Sequence, residues 1–291
     1  MSNNPYLKHA VLYAELFHAG KRLPLGDIPL PTPPTLIPES FKALVFSPHP
    51  DDECIIGGMA LRLLREEKMS VVNVAVTQGS DRSRQTERWK ELTSACDYLG
   101  FRLVRTAENG LERIQAATRT NDPIHWSNAI QVIADLLNEY NPRVIFFPHA
   151  TDWNSTHIGV HHLVMDALGR MSNSFTCTLV ETEYWGAMDT PNLMVELSIE
   201  DVSILMAALS FHVKEVERNP YHLRLPAWLQ DNVRRGGELV GGQGGAVPDF
   251  VFATLYRIRR WKEGAVHDVL GAGRQVSAQD RFGELLHGKD D

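Results

Sequence analysis

From Lys42 onward, short apolar runs alternate with segments of helical spacing, and that alternation leaves few folds open. ALVFSP is followed by a polar turn, then GGMALRLLREEKM, then VVNVAV, which together read as a βαβ unit. A polar helix from Arg84 to Leu99 ends at Gly100 and leads to FRLV as a third strand. IHWSNAIQVIADLLNEY is an amphipathic helix stopped by Asn141-Pro142, ahead of RVIFFP, a strand apolar on both faces. A helix from about His157 to Met171 and the run TCTLVETEYW continue the series. The expected fold class is α/β: a Rossmann-like, mostly parallel sheet flanked by helices on both faces, with right-handed crossovers.

Around this core the chain divides into an extended N-terminal arm (residues 1–40), a single α/β domain (41–262) and a weakly ordered tail (263–291). Six prolines from Leu23 to Pro38 forbid regular structure in the arm, beyond a short helix over Tyr6 to Phe17. The last third of the domain is expected to hold a helix around Asp201 to Glu217, a Gly-rich loop at 236–245 and a strand in FVFATLYRIRRW. No internal repeat is present.

At 43% hydrophobic the 291 residues suffice for a sizeable core. A net charge of −7 with interspersed signs offers no polycation, so nucleic acid is excluded as a partner. There is no apolar run of about 18 residues and hence no integral membrane segment, and the N-terminus lacks a secretory signal. The expected location is cytoplasmic, with which three widely spaced cysteines agree.

The chemistry concentrates directly after the first strand, in Ser47-Pro48-His49-Pro50-Asp51-Asp52-Glu53. Carboxylates crowded together repel and raise one another's pKa unless a cation sits among them. Imidazole plus carboxylate is a ligand set for zinc or a similar ion, and the remaining carboxylates are free for proton transfer. Capping of the following helix accounts for one acid but not for the histidine. A second cluster, His149 to His157 and on to His161-His162, follows RVIFFP. In an open parallel sheet, polar residues after Phe46 and Phe147 project into one crevice outside the strands' carboxyl ends. His157 and His161, four residues apart, share a helix face.

These motifs resemble those of the PIG-L/LmbE-like family of metal-dependent N-deacetylases, whose His-Pro-Asp-Asp-Glu signature His49 to Glu53 match at every position. The resemblance runs from about Lys42 to about Leu179 and includes a Thr-x-Gly turn at Thr77-Gln78-Gly79 and an Arg-x-x-Glu helix at Arg88 to Glu91. It implies that His49 and Asp52 bind one zinc ion per chain, with another divalent transition metal as the alternative, and that Asp51 is the general base. The family's His-x-x-His motif is altered here: Asn154 stands where the first histidine would be, and His157 aligns with the metal-binding second, with His161 as the alternative ligand. Stabilisation of the oxyanion then falls to Asn154, to His161 or to His149.

Beside these, Glu53 is supportive, Arg82, Arg84 and Arg88 are placed to reach hydroxyls or phosphate of a substrate, and Trp153 and Trp185 to stack on a sugar ring. Cys54 is expected to pack as a small hydrophobe. The expected activity is removal of an acetyl or other acyl group from an amide nitrogen of a small N-acylated substrate, an amino sugar first; a homo-oligomer is compatible with it. The alternatives are an amidase for a non-sugar or thiol-conjugate amide, and a metal- or sugar-binding module without catalysis.

Overall fold

A computed structural model describes residues 4–32 and 41–287. The elements run α1 (Leu7–Gly20), β1 (Lys42–Ser47), α2 (Asp52–Ile55), α3 (Gly58–Glu66), β2 (Ser70–Ala75), α4 (Gln85–Leu99), β3 (Arg102–Arg105), α5 (Ala116–Asn121), α6 (Pro123–Tyr140), β4 (Val144–Pro148), α7 (Ser155–Leu168) and β5 (Cys177–Thr182). Then follow β6 (Leu193–Glu196), α8 (Ile199–Ser210), α9 (Val213–Arg218), α10 (Tyr221–Leu239), β7 (Ala253–Lys262), β8 (Ala265–Asp268), β9 (Arg274–Val276) and α11 (Gly283–His287). The sheet order is β3-β2-β1-β4-β5-β7-β6-β9, with β8 paired to β7. The first five strands in that order are mutually parallel, and β7 runs antiparallel to both its neighbours.

The apolar run of β1 serves two cores at once. Ala43 and Val45 face one, with Met59 and Leu63 of α3, Leu92 of α4 and Leu205 of α8. Leu44 and Phe46 face the other, with Ile133 and Leu137 of α6 and Leu163 and Val164 of α7. A strand covered on both faces needs an apolar residue at every position, and each large one buried contributes about 1.5–3 kcal/mol. Strand order reverses at β1, which lies between β2 and β4, so the carboxyl ends of β1 and β4 adjoin and open a crevice there.

The tail is not weakly ordered through residue 287. Ala265–Asp268 pairs with β7, Arg274–Val276 covers the open edge of β6, and Phe282, Leu285 and Leu286 are buried. Strands of three or four residues are too short for a periodic signal, which hid them. The Gly-rich stretch is also only partly loop, because α10 continues through Gly236 and Gly237. A Cβ on Gly236 would fall 2.6 Å from Met194 Sδ, so this glycine serves close helix–sheet packing rather than mobility. The helix expected over Asp201 to Glu217 is two helices, broken where His212 leaves the helical region at ψ 61. In the arm, the helix extends to Gly20, and residues 33–40 lie outside the described residues. α5 and β6 had no clear sequence signal. Among the described residues no helix is long and apolar enough to cross a membrane. The three cysteines are free and buried.

Candidate metal centre

The turn after β1 folds back on itself because Asp52 Oδ2 accepts the backbone N–H of His49 at 2.8 Å. The same oxygen lies 3.5 Å from His49 Nδ1 and 3.4 Å from His157 Nε2. Ligand atoms of His49, Asp52 and His157 all lie within 4.8 Å of one another. Asp52 Oδ1 and His157 Nε2 are buried without a hydrogen-bond partner. Unpaired buried polar atoms cost about 1–3 kcal/mol each, a cost that a cation among them removes. Two imidazoles and a carboxylate are the donor set of a zinc site with an open position, so these residues fit that ion. Burial works to raise the Asp52 pKa, but His157 and the bonds from His49 outweigh it and hold the carboxyl below its usual range. His157 is raised, its desolvation overcome by Asp52 and Asp152.

His157 is delivered by the start of α7. The Asn154 side-chain oxygen caps that helix, accepting from the N–H of Thr156 at 2.9 Å and of His157 at 3.4 Å, which leaves its amide NH₂ as donor. Behind the ring, His157 Nδ1 lies 3.5 Å from Asp152 Oδ2, which also accepts from the N–H groups of Trp185 and Gly186. A carboxylate behind a ligating imidazole fixes its orientation. One ring face stacks on Tyr184, centroids 4.8 Å apart. Neither Asp152 nor Tyr184 was singled out from sequence. Asp152 sits at the expected strand end, whereas Tyr184 becomes a neighbour only once β5 is known to lie beside β4.

Asp51 holds the left-handed backbone conformation, φ 110, a strain of about 1–3 kcal/mol for a non-glycine residue. Its N–H donates to Glu53 Oε2 at 3.0 Å, and Glu53 Oε1 in turn accepts from His212 Nε2 at 2.7 Å and Cys54 Sγ at 3.1 Å. Glu53 is fully enclosed, so its carboxylate braces Asp51 from within rather than facing the crevice. Burial, then the charge of Asp52, pushes the Asp51 pKa well up, with Arg88 opposing. That makes it a stronger base than an exposed aspartate.

Of the three arginines, Arg88 donates to the Pro50 carbonyl at 2.9 Å, and Arg84 pairs with Glu215 at 2.8 Å. Arg88 reaches its place because Gly79, at φ +81, has no Cβ; one there would lie 2.2 Å from Arg88 Nη1. Arg82 alone lines the crevice beside His49, paired with Glu112 at its rim. Trp153 is 69% exposed, its ring 5.7 Å from Trp185.

Two histidines are not brought into the cluster. Both ring nitrogens of His149 are engaged, by Thr151 and by the Gly186 carbonyl. His161 Nδ1 donates to the Pro148 carbonyl at 2.9 Å, and its ring packs on Phe147. Burial pushes His161 down to about 4. The folded chain then refuses a proton that the unfolded chain accepts below about pH 6.5, so stability falls as pH drops from there toward about 4, by up to about 3 kcal/mol. Above that window the effect is absent. His161→Gln should flatten the pH dependence of unfolding free energy by up to about one proton near pH 5; unfolding curves of unchanged slope would refute it.

Residues 44–168 match the PIG-L family, described as GlcNAc-PI de-N-acetylase. No curated protein matches the chain by sequence. Among solved structures it is similar to the pseudoaglycone deacetylase Dbv21, at TM-score 0.56 and 15% identity, covering 78% of this chain and 100% of that one. It is likewise similar to N,N'-diacetylchitobiose deacetylase from Pyrococcus horikoshii (TM-score 0.53, 14% identity, 91% and 96% covered). A third is the 4-carboxy-2-hydroxymuconate hydratase GalB from Pseudomonas putida (TM-score 0.56, 18% identity, 75% and 95% covered). At such identities the likeness shows the fold, which hosts more than one chemistry. The family match spans both His49 to Glu53 and His157, so the stretch that carries the candidate ligands is the stretch similar to the PIG-L family.

Proposed function

We propose that the chain is a zinc-dependent hydrolase that removes an acetyl or other acyl group from an amide nitrogen, of an N-acetylglucosamine-type sugar or its glycoside. The observation that carries this reading is the convergence of His49, Asp52 and His157, with two buried ligand atoms unpartnered, beside the raised carboxyl of Asp51. The family description, a de-N-acetylase of a glucosamine derivative, supports it.

A zinc ion or another divalent transition metal held by His49, Asp52 and His157 would polarise the amide carbonyl and ease deprotonation of an attacking water. Asp51 takes that proton at its carboxylate and returns it to the departing amine nitrogen. Its strained backbone, braced by Glu53, keeps the carboxyl from turning away. Burial, then the charges of Asp51 and Asp52, pushes the Tyr184 pKa well up, so its hydroxyl stays protonated as a donor. That hydroxyl and the Asn154 NH₂ are the donors for the developing oxyanion. Arg82, with Thr77, Gln85, Gln115 and Thr156, lines a cavity of about 350 Å³ against His49 that suits a hydroxyl-rich ring.

The test is metal content together with amine release from N-acetylglucosamine and its glycosides. One equivalent of metal, and release abolished by a chelator and restored by zinc, is the expected result. Stoichiometric metal with no amine from any amide would reject the hydrolase.

A further inference from the structure

Two cavities of opposite character lie near the ligand trio, one walled by His49 itself and the other by Tyr184, which stacks on His157. The polar one is the cavity beside His49. The other, of about 270 Å³, is completed by Trp185, Tyr221, Trp228, Ile55 and Leu225. Its rings touch in series, with Tyr184 to Trp185 at 4.9 Å and Trp185 to Tyr221 at 5.4 Å between centroids. Arg224 lines this cavity and also a larger groove of about 640 Å³ between α1, α8 and α10, walled by Phe17, Leu23, Val202, Met206 and Leu223. The Arg224 guanidinium lies over the Phe17 ring at 4.7 Å, so one side chain borders both cavities.

A scissile amide carries two substituents, and they diverge from the trigonal carbonyl carbon. The hydroxyl-bearing amine portion matches the cavity walled by Thr77, Arg82, Gln85 and Thr156. The acyl portion is then directed toward the aromatic wall, where an acetyl methyl would leave most of the apolar surface uncovered. Apolar surface of that extent, in two cavities that share Arg224 beside a reactive centre, marks a binding site.

Resting on the hydrolase reading above, we propose that the group removed is a long fatty acyl chain, seated against Trp185, Tyr221 and Trp228 and running past Arg224 into the groove under α1. Water adds its oxygen to the acyl carbon, the C–N bond breaks, the nitrogen takes a proton and leaves as the free amine, and a fatty carboxylic acid is released. Ile55, on the same short helix as Asp52, ties the acyl cavity to the ligand loop.

The experiment compares kcat/KM for N-acetyl-, N-butanoyl-, N-octanoyl- and N-dodecanoyl-glucosamine on the metal-loaded protein. A rise of about three- to fourfold per methylene is expected while the chain is being buried. A second arm uses octyl and dodecyl glycosides of N-acetylglucosamine, for which no comparable gain is expected. Ser203→Trp, an exposed position of α8 on the groove, should cut the dodecanoyl-to-butanoyl ratio at least tenfold. A flat or falling acyl series with N-acetyl turnover intact, a gain that follows the glycoside chain instead, or an unchanged ratio in Ser203→Trp each overturns the proposal. No amine from any of these substrates, acetyl included, would instead overturn the hydrolase reading beneath it.

Discussion

The Asp51→Asn protein is expected to take up as much metal as the wild type and to lose kcat by about 10²–10⁴-fold. Asparagine nearly matches aspartate in shape and, with aspartate, is among the non-glycine residues most tolerant of positive φ. The backbone at φ 110 and the bond from its N–H to Glu53 should therefore persist. What disappears is the carboxylate that, in the proposed reaction, accepts the water's proton and hands it to the amine. Amine release and metal stoichiometry on the same preparation separate the two effects. A kcat within a few-fold of wild type would remove Asp51 from the chemistry.

His157→Ala is the second large effect. This side chain supplies one of only two imidazoles in the trio, and its Nε2 is one of the two unpartnered ligand atoms. The variant is expected to come through gel filtration with less than about a tenth of an equivalent of metal and with no measurable turnover, because two remaining ligands fall short of the three protein ligands that a catalytic zinc site has. The same truncation at His161, whose ring nitrogen faces the Pro148 carbonyl, should leave the metal in place. Circular dichroism on both variants controls for folding. Full metal occupancy in His157→Ala, or its loss in His161→Ala alone, would exchange the roles of the two histidines.

The parallel core was legible because strands covered on both faces must be apolar throughout, as ALVF and VIFF are. The placement of ligands at adjoining strand ends followed from the same pattern, since ligand crevices open beyond the carboxyl ends of parallel strands. The inward turn of Glu53 was not legible: it depends on His212, 159 residues away in sequence, arriving at 2.7 Å. Arg84 and Arg88 likewise read as free cations until Glu215 and the Pro50 carbonyl are seen to occupy them. Glycines misled in one place, where Gly236 and Gly237 signalled a loop but serve helix packing. The short strands β8 and β9 form because an exposed sheet edge needs covering, a demand that local residues do not advertise.

The candidate metal ligands and the walls around them belong to separate stretches of chain. His49, Asp52 and His157 hang from the adjacent strands β1 and β4, whereas the polar cavity is built largely by residues 77–115 and the aromatic one by residues 184–228. Grafting either stretch from a relative onto this scaffold would therefore retune one end of the accepted molecule at a time. Descendants of such a chain can diverge in diet while inheriting the same cutting edge.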